Sequence, residues 1–450
     1  MADKRLTLSE VWHYRALERK AFSWCLFALT VGYLAFFLGG GPERRSDWLN
    51  LLPLGIFAFS LTLIHGTFVI GRFQGDPGLV IPIVFLGGLG ILAQFRMGLF
   101  DFDHPWQLSH FAYPIGITVM LLIATLLKRE RYLWLSHFRW VYGLGALGIV
   151  GALLAMGSRF RGAYYASGNM TPTEFIKVFV VLFLAGQLAT IGSGKSKKGK
   201  NQTSEFRTLF PIIAFFAVLF PLLLWQRDLG MIAILGGLVV VLIFSSTGKW
   251  IYVVSALGLS VLGAVGAYQF FLHSQQRFKV WLDPFFDPTG ASWQLLQGLT
   301  GMFSGGLWGA GFGAGTPESI PIAASDFIYA VIGEELGYVG CLLVVLLFLG
   351  FFSRAYRVAK FTSEPFGALL VIGFTTTIAL QTFLNIGGVT KTVPLTGIPL
   401  PFISHGGSSL ITMFTCLGLI LAIADSTQPE IEKTAKKKAT KRPAKAKRSE

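Results

Sequence analysis

The sequence predicts an all-α polytopic membrane protein, with about twelve transmembrane helices and a large polar loop on one side of the membrane. Apolar residue types make up 53% of the 450 residues, and the mean hydropathy is +0.61. Apolar blocks of about 18–24 residues recur along the chain, and each is long enough to cross the bilayer core as a helix. Residues 272–325 interrupt this pattern with charged and turn-forming residues.

Twelve apolar blocks predict the individual spans. These are residues 21–39, 51–71, 78–96, 108–127, 139–157, 173–191, 208–225, 228–246, 250–271, 326–352, 365–388 and 402–424. A polar N-terminal segment, 1–20, precedes them, and in it Ser9 is predicted to cap a short amphipathic helix from Glu10 to Lys20.

The basic residues predict the orientation of the bundle. Nine Lys and Arg residues lie between Lys433 and Arg448. Their Ala- and Lys-rich context predicts a disordered tail, 425–450, that contacts anionic lipid rather than nucleic acid. Lys and Arg are also enriched in alternate connections between spans. By the positive-inside rule we expect both termini in the cytosol and residues 272–325 on the outer face.

The outer segment contains two Asp-Pro pairs, at Asp283 and Asp287. They follow Arg277 and Lys279. Asp-Pro commonly opens a turn, so each pair has a structural interpretation. A carboxylate flanked by cations also suits a general base that acts on an anionic substrate.

Further carboxylates are predicted at membrane depth. Asp326, Glu334 and Glu335 lie in the apolar block 326–352. Charged side chains are costly there, which makes them functional candidates by default.

Two polar segments open the spans around 173–191 and 228–246. Glu174 and Lys177 lie three residues apart on one helix face, after Pro172, which suits a first turn. The sequence leaves open whether they form a structural ion pair or whether Lys177 binds phosphate. The segment Gln226-Arg227-Asp228-Leu229-Gly230 predicts a tight structural turn.

The segment Lys391 to Ser409 is rich in Pro, Gly and hydroxyl residues. Non-helical backbone survives at membrane depth only where protein buries it or where it lines a cavity. We therefore expect residues 404–409 to line a polar site, with His405 as a satisfied histidine rather than a ligand. The residues alone indicate an outward-facing polar cavity that acts on an anionic amphiphile.

These segments, in this order, resemble the SEDS family (shape, elongation, division and sporulation), to which RodA and FtsW belong. PLTGIPLPFISHGGSS is similar to the family's closing signature, with His405 where Tyr is usual. SDFIYAVIGEELGYVG resembles its TDFIFA-type helix start. WLDPFFDPTGASWQLLQG resembles its loop with two Asp-Pro pairs and a spaced Gln pair, Gln294 and Gln297. TPTEFIK and QRDLG resemble its QPSE-x-x-K and QPDLG segments. The resemblance covers about 78–424, a ten-span core, and leaves two additional N-terminal spans in 21–77.

The resemblance implies a peptidoglycan glycosyltransferase. Such enzymes polymerise lipid II, a disaccharide-pentapeptide on undecaprenyl pyrophosphate, at the outer face of the bacterial cytoplasmic membrane during cell elongation or division. Asp287 matches the family's essential loop Asp and is the expected general base of an inverting transfer. A class B penicillin-binding protein transpeptidase is the expected partner. The resemblance fixes no cofactor, and a divalent cation, Mg or Mn, is one candidate source of the positive charge that a departing pyrophosphate needs. The expected substrate-binding residues are Glu174, Lys177, Arg277, Lys279, Gln294, Gln297, Asp326, Lys391, Thr396, Ser404, Ser408 and Ser409.

The sequence departs from the family pattern in three places. Ile320-Pro321-Ile322-Ala323-Ala324 replaces the usual LPE-x-H, Arg227 replaces a Pro, and residues 160–165 only weakly match the segment before the Glu/Lys motif.

Two other function classes stay open. A lipid II flippase needs charged groups leading to both faces. A non-catalytic scaffold of the elongation or division machinery predicts that Asp287 is dispensable.

Overall fold

The computed structural model describes residues 6–39, 51–99, 108–160, 163–165, 171–192 and 205–446. These residues form fifteen α-helices and one two-stranded antiparallel hairpin. The helices are α1 (Leu8–Tyr14), α2 (Ala16–Gly39), α3 (Leu52–Ile70), α4 (Val80–Arg96), α5 (Leu108–Leu126), α6 (Arg139–Met156), α7 (Glu174–Gly192), α8 (Glu205–Gln226), α9 (Leu229–Thr247), α10 (Trp250–Phe270), α11 (Leu272–Leu282), α12 (Trp293–Gly305), α13 (Ile328–Phe361), α14 (Pro365–Val389) and α15 (Gly407–Ala446). The strands are β1 (Ser158–Phe160) and β2 (Ala163–Tyr165).

Every predicted apolar block contains one of these helices. Within the described ranges, nine helices are long and apolar enough to cross a membrane, namely α3, α4, α6 to α9 and α13 to α15. Two further helices, α5 and α10, contain shorter apolar stretches, Phe111–Leu126 and Trp250–Gly263. Helix α2 occupies the remaining block. The predicted all-α, polytopic membrane fold is confirmed.

Helices α7 and α15 form the centre of the bundle. In their apolar windows 72% and 89% of the residues are buried, so neither helix faces lipid along much of its surface. Helix α15 packs along α5, and α7 packs against α6, α9 and α14. At Gly418 a Cβ atom would lie 2.8 Å from the Met120 carbonyl oxygen. Such small residues let membrane helices approach closely where no hydrophobic effect draws them together.

The N-terminal helices differ in detail from the prediction. Thr7, not Ser9, caps α1, because Glu10 N–H donates to Thr7 Oγ1 (3.4 Å) while the Glu10 carboxylate accepts from Thr7 N–H (2.7 Å). This reciprocal pair is a capping box. The predicted helix over 10–20 is divided at Arg15, where α1 ends and α2 begins.

Arg15 and Glu18 fix this end of the N-terminal helices. The two side chains form a fully buried ion pair at 2.7 Å, and Glu18 Oε1 lies 2.8 Å from His65 Nδ1 on α3. Helix α2 then packs along α4, and α3 packs against α5.

The segment predicted as a loop, 272–325, contains two helices, α11 and α12. The following block is also not one continuous span. Asp326 precedes α13 rather than lying within it, and α13 is interrupted at Gly337 (φ 68°, ψ −167°). The polar groups left by the break are satisfied from outside, because Ala310 N–H donates to Glu334 O and Tyr338 N–H donates to Gly306 O, both at 2.9 Å. Buried backbone groups need such partners.

Helix α15 continues to Ala446, where the sequence predicts a disordered tail. Ala, Lys and Glu in this stretch are good helix formers. The ends of the predicted terminal segments, 1–5 and 447–450, lie outside the described residues, and so does the Arg161-Gly162 pair of the weak family match.

Candidate functional site

Most of the predicted site residues gather at one end of the bundle, here called the site face. At this end α8 and α14 finish and α7, α9 and α15 begin. The irregular segment 390–406 connects α14 to α15 and places its polar residues among these helix ends. Three helix N-termini at one face contribute a positive potential.

Lys177 is held at the start of α7 by partners from two helices. Its ammonium donates to Glu174 Oε2 at 2.8 Å and to Gln381 Oε1 on α14 at 2.6 Å. Lys177 is 1% exposed, whereas the Glu174 side chain is 12% exposed. The Gln381 amide also donates to Pro399 O (3.0 Å) and Ser409 Oγ (3.2 Å). We call Glu174, Lys177, Gln381 and Ser409 the Lys177 network.

Ser408, the neighbour of Ser409 in the chain, contacts Thr171 in the segment before α7. Its hydroxyl lies 2.6 Å from Thr171 Oγ1 and accepts from Thr171 N–H at 3.2 Å. Ser404 instead has a structural role: it accepts from Leu400 N–H (2.8 Å) and donates to Ser325 O (2.6 Å). These bonds hold the backbone of the irregular segment in place.

His405 is satisfied, as the sequence predicts. Its Nδ1 lies 3.2 Å from Gln94 Oε1, and its backbone N–H donates to Ala324 O at 2.8 Å.

Asn385 joins Asp326 to the same irregular segment. Its amide donates to Asp326 O (2.9 Å) and Ile398 O (2.7 Å). At Gly397, where φ is +72°, a Cβ atom would lie 3.4 Å from Asp326 Oδ2 and 3.9 Å from Arg277 Nη2. Arg277 also donates to Leu395 O at 2.9 Å. Asp326 and Arg277, two predicted site residues of opposite charge, therefore both lie close to Gly397.

Asp228 connects these groups electrostatically. It caps α9 by accepting from Met231 N–H at 2.9 Å, which confirms the predicted structural turn. Burial raises the pKa of its carboxyl above the usual range, and the charge of Glu174 raises it further, while Lys177 and Arg277 oppose the shift. Glu174, Lys177 and Arg277 therefore all influence the protonation of one buried carboxyl.

The two Asp-Pro pairs both open turns between α11 and α12. Asp287 Oδ2 accepts from Ala291 N–H at 2.8 Å, and Asp283 Oδ1 accepts from Phe285 N–H at 3.0 Å. Asp287 is partly buried and Asp283 is exposed. At Gly290 a Cβ atom would lie only 2.3 Å from Asp287 Oδ2, so the turn closes tightly over this carboxylate.

Two predicted cations lie beside this turn. Lys279 Nζ is 5.7 Å from the ring centroid of Phe286, and Lys391 Nζ reaches Leu282 O at 3.5 Å. Trp281 Nε1 donates to Lys391 O at 3.1 Å, which attaches α11 to the irregular segment.

Other predicted residues are not drawn into the network. Among the residues that the structure describes, no hydrogen bond joins Asp287, Gln294 or Gln297 to the Lys177 network. Gln294 and Gln297 lie partly buried on α12, and Thr396 Oγ1 is buried without a hydrogen-bond partner. In the same described ranges, no group of three or more His, Cys, Asp or Glu side chains is arranged to hold a metal ion.

Sequence reasoning missed Gln381 and Asn385, both 3% exposed or less. Their signal was available, because two amides four residues apart lie on one face of an apolar helix, where buried polar groups need partners. It also took Glu334 and Glu335 as functional candidates. The structure instead pairs Glu335 Oε1 with Arg96 Nε at 2.9 Å, and Glu334 Oε1 accepts from Thr316 N–H at 2.8 Å.

Comparison with known proteins identifies the family. Residues 84–429 match the model of the FtsW, RodA and SpoVE family, described as cell cycle protein. The chain belongs to this family. The match begins just after the start of α4, so α2 and α3 precede it.

Curated relatives agree with this assignment. The chain is 31% identical, over 88% of its length and 88% of theirs, to proteins named peptidoglycan glycosyltransferase RodA from Mycobacterium tuberculosis and Mycobacterium bovis. It is 34% identical to stage V sporulation protein E of Bacillus subtilis, over 57% of this chain and 69% of that protein. The predicted SEDS family and glycosyltransferase class are confirmed.

Solved structures share the fold. A chain of a peptidoglycan synthase complex matches with a TM-score of 0.61 and 24% identity, covering 78% of this chain and 97% of that one. RodA of Thermus thermophilus matches with a TM-score of 0.54 and 22% identity, again over 78% and 97%.

Proposed function

We propose that this chain is a peptidoglycan glycosyltransferase that polymerises lipid II into glycan strands, with Asp287 as the general base. The observation that carries the proposal is its 31% identity to proteins named peptidoglycan glycosyltransferase RodA across 88% of both chains. The oriented Asp287 carboxylate and the buried cation of the Lys177 network support the proposal, because the reaction needs a base and a positive charge.

Asp287 is suited to accept a proton. One carboxylate oxygen is fixed by the Ala291 amide, and in the described part of the chain the other accepts no hydrogen bond. In the proposed step this oxygen takes the proton of the 4-hydroxyl of one GlcNAc. The hydroxyl oxygen attacks the anomeric carbon of a second sugar from the face opposite the leaving group. The bond to the lipid pyrophosphate breaks, and the configuration inverts.

The departing pyrophosphate needs positive charge. Lys177 and Arg277 lie near Asp228 on the site face, beside the N-terminal ends of α7, α9 and α15. Such helix ends favour phosphate groups. Lys279 and Lys391 lie beside the Asp287 turn, where they can stabilise the second substrate. A divalent cation, Mg or Mn, is a further predicted source of charge, and activity measured with EDTA and after restoring each metal tests it.

We place the protein in the bacterial cytoplasmic membrane with both termini in the cytosol and the site face outside. The excess of Lys and Arg in alternate connections supports this orientation. The three cysteines are buried and free, so introduced ones can be labelled selectively. A membrane-impermeant maleimide should label Thr289→Cys, at the site face, in intact cells but not Ser363→Cys, in the opposite turn. The reverse pattern would invert the proposed topology.

The deciding experiment is lipid II polymerisation by the purified protein, with a class B penicillin-binding protein transpeptidase, its proposed partner, present. Asp287→Asn keeps the shape and the turn hydrogen bond but removes the base, so polymerisation should fall by about a hundredfold or more. Asp283→Asn is the matched control in the other Asp-Pro pair and should retain most activity. Normal polymerisation by Asp287→Asn would refute the base assignment and move it to Asp283 or Glu174.

The flippase and scaffold alternatives are not favoured. The predicted substrate-binding charges gather on the site face, whereas Arg15 and Glu18 at the opposite end are neutralised in a fully buried pair. A wild-type protein that moves lipid II across vesicles without making glycan would support the flippase. Normal growth of cells that carry Asp287→Asn would support the scaffold.

A further inference from the structure

The N-terminal helix α2 lies outside the part of the chain that matches the family model, yet it contacts the segment that follows α12. Close to the end of α2, the Tyr33 ring stacks on Phe95 with centroids 4.3 Å apart. The Phe36 ring packs edge-on against Phe95 (5.4 Å) and against Phe312 (6.2 Å). Phe312 belongs to the glycine-rich segment 306–318, so an N-terminal helix contributes to how this segment is held.

Arg96, the last residue of α4, joins the same elements through its charge. Its Nε lies 2.9 Å from Glu335 Oε1 on α13. Its Nη1 lies 3.0 Å from Glu318 Oε1, and its Nη2 donates to Gly315 O at 2.7 Å. The Phe36 ring covers this guanidinium at 5.6 Å from the ring centroid. Arg96 and Phe36 are each 6% exposed. We call Arg96, Glu335, Glu318 and Gly315 the Arg96 cluster.

Segment 306–318 fits against these side chains with little spare room. At Gly313 (φ +89°) a Cβ atom would lie 3.0 Å from Phe36 Cδ2. On its other side the segment fills the break in α13, where the Ala310 and Gly311 amides donate to Glu334 O and Glu335 O at 2.9 and 3.2 Å. The segment is therefore clamped between α2 and α13.

Helix α12 connects this segment to the Asp287 turn. Gly298, Gly301 and Gly305 form the face of α12 that lies against α13 and its preceding segment. At Gly305 a Cβ atom would lie 2.1 Å from Gly333 O, so the two helices are in backbone contact. At its other end α12 follows Ser292, which is fully buried and donates its N–H to Asp287 O at 3.1 Å.

We propose that the end of α2 positions segment 306–318, and through α12 the Asp287 turn, for glycosyl transfer. Phe36 and Arg96 are positioning residues that touch no reacting atom. This inference rests on the proposed function. Removing the Phe36 ring leaves a space beside the Arg96 guanidinium and removes the contact with Gly313. Segment 306–318 then samples other positions. In these positions the Asp287 turn is displaced from the attacking hydroxyl. Small displacements of a catalytic group reduce the rate steeply.

The test compares wild type, Phe36→Ala and Phe36→Tyr as full-length proteins in lipid nanodiscs. Phe27→Ala is the matched control, because Phe27 lies on the same helix but is 60% exposed. Hydrogen exchange of the Ala310 and Gly311 amides should be about tenfold faster in Phe36→Ala and unchanged in Phe27→Ala. The kcat for lipid II polymerisation should fall about fivefold to tenfold in Phe36→Ala, with KM within about twofold of wild type. Phe36→Tyr keeps the ring and should have the exchange rate and the kcat of wild type.

Three results would overturn the inference: unchanged exchange in Phe36→Ala, faster exchange with a normal kcat, or equal effects in Phe27→Ala. The exchange measurement needs no substrate, so it also separates this inference from the proposed function. If wild type made no glycan, the proposed function and the catalytic part of the inference would both fall. The exchange comparison would still decide whether α2 holds the segment.

Discussion

Two cations are buried on the site face, and they are held in opposite ways. Lys177 is 1% exposed and Arg96 is 6% exposed, and each faces a carboxylate. Within the described residues, Lys177 uses two of its three donors, and its partner Glu174 reaches the surface. Arg96 makes contacts through Nε, Nη1 and Nη2 to acceptors on α13 and segment 306–318. Burial alone therefore does not separate the two cations, but their partner carboxylates differ. Lys177 pairs with Glu174, which is 12% exposed, whereas Arg96 pairs with Glu335, which is 2% exposed.

The chemistry of the two groups agrees with this division. An ammonium is a compact point charge that can approach one phosphate oxygen, whereas a guanidinium presents a planar fork that suits several fixed acceptors. Lys177 also lies in the first turn of α7, where the helix dipole favours anions. Arg96 lies in the last turn of α4, where the dipole favours the cation itself. The comparison predicts that removing Lys177 abolishes activity and that removing Arg96 reduces stability.

The largest expected effect is that of Lys177→Met on activity. The variant lacks the charge that we propose to stabilise the leaving group, so lipid II polymerisation should fall by about a hundredfold or more. It also leaves Glu174 unpaired. The double variant Lys177→Met/Glu174→Gln removes that unpaired charge and should recover the melting temperature but not the activity. Recovery of activity in the double variant would mean that Lys177, like Arg96, touches no reacting atom.

Arg96→Met should instead act on stability. It leaves the Glu335 carboxylate, which is 2% exposed, without its cation. Breaking such a buried pair lowers the free energy of unfolding by about 3–5 kcal/mol. The double variant Arg96→Met/Glu335→Gln carries no unpaired buried charge at this site and should recover most of that loss. Denaturant unfolding of both variants in detergent measures it. If Arg96→Met were as stable as wild type, Arg96 and Lys177 would no longer differ in the way proposed here.

Sequence alone predicted what depends on local spacing. Apolar block length located the helices, because a bilayer requires about the same length from each. The pairing of Glu174 with Lys177 followed from residues three apart on one helix face. The Asp-Pro turns followed from the tendency of Asp side chains to accept nearby backbone N–H groups.

What the sequence did not predict depends on contacts between distant segments. Neither Arg96 nor Glu335 carries a local sign of its partner, since the pair exists only once α4 packs against α13. The break at Gly337 was missed for the same reason. A single glycine is tolerated within a helical pattern, and this break is stable because Gly306 and Ala310 supply its hydrogen bonds. Gln381 acquires its role only when α7 brings Lys177 to it.

The smallest expected effect concerns Asp228, the carboxyl that senses Lys177 but not the Arg96 cluster. Burial raises the pKa of this carboxyl in the folded protein, so the folded state binds its proton more tightly than the unfolded state. Stability should therefore fall as pH rises from the usual aspartate range through the raised value. Asp228→Asn retains a side-chain oxygen that can cap α9 but does not titrate. The melting temperature of wild type, relative to Asp228→Asn, should thus decrease as the pH rises above the usual aspartate range. In the Lys177→Met background the decrease in melting temperature should extend to higher pH, because Lys177 opposes the rise in the pKa of Asp228. An Arg96→Met background should leave it unchanged, and a difference that is flat or rises with pH would contradict the shared electrostatics of the site face.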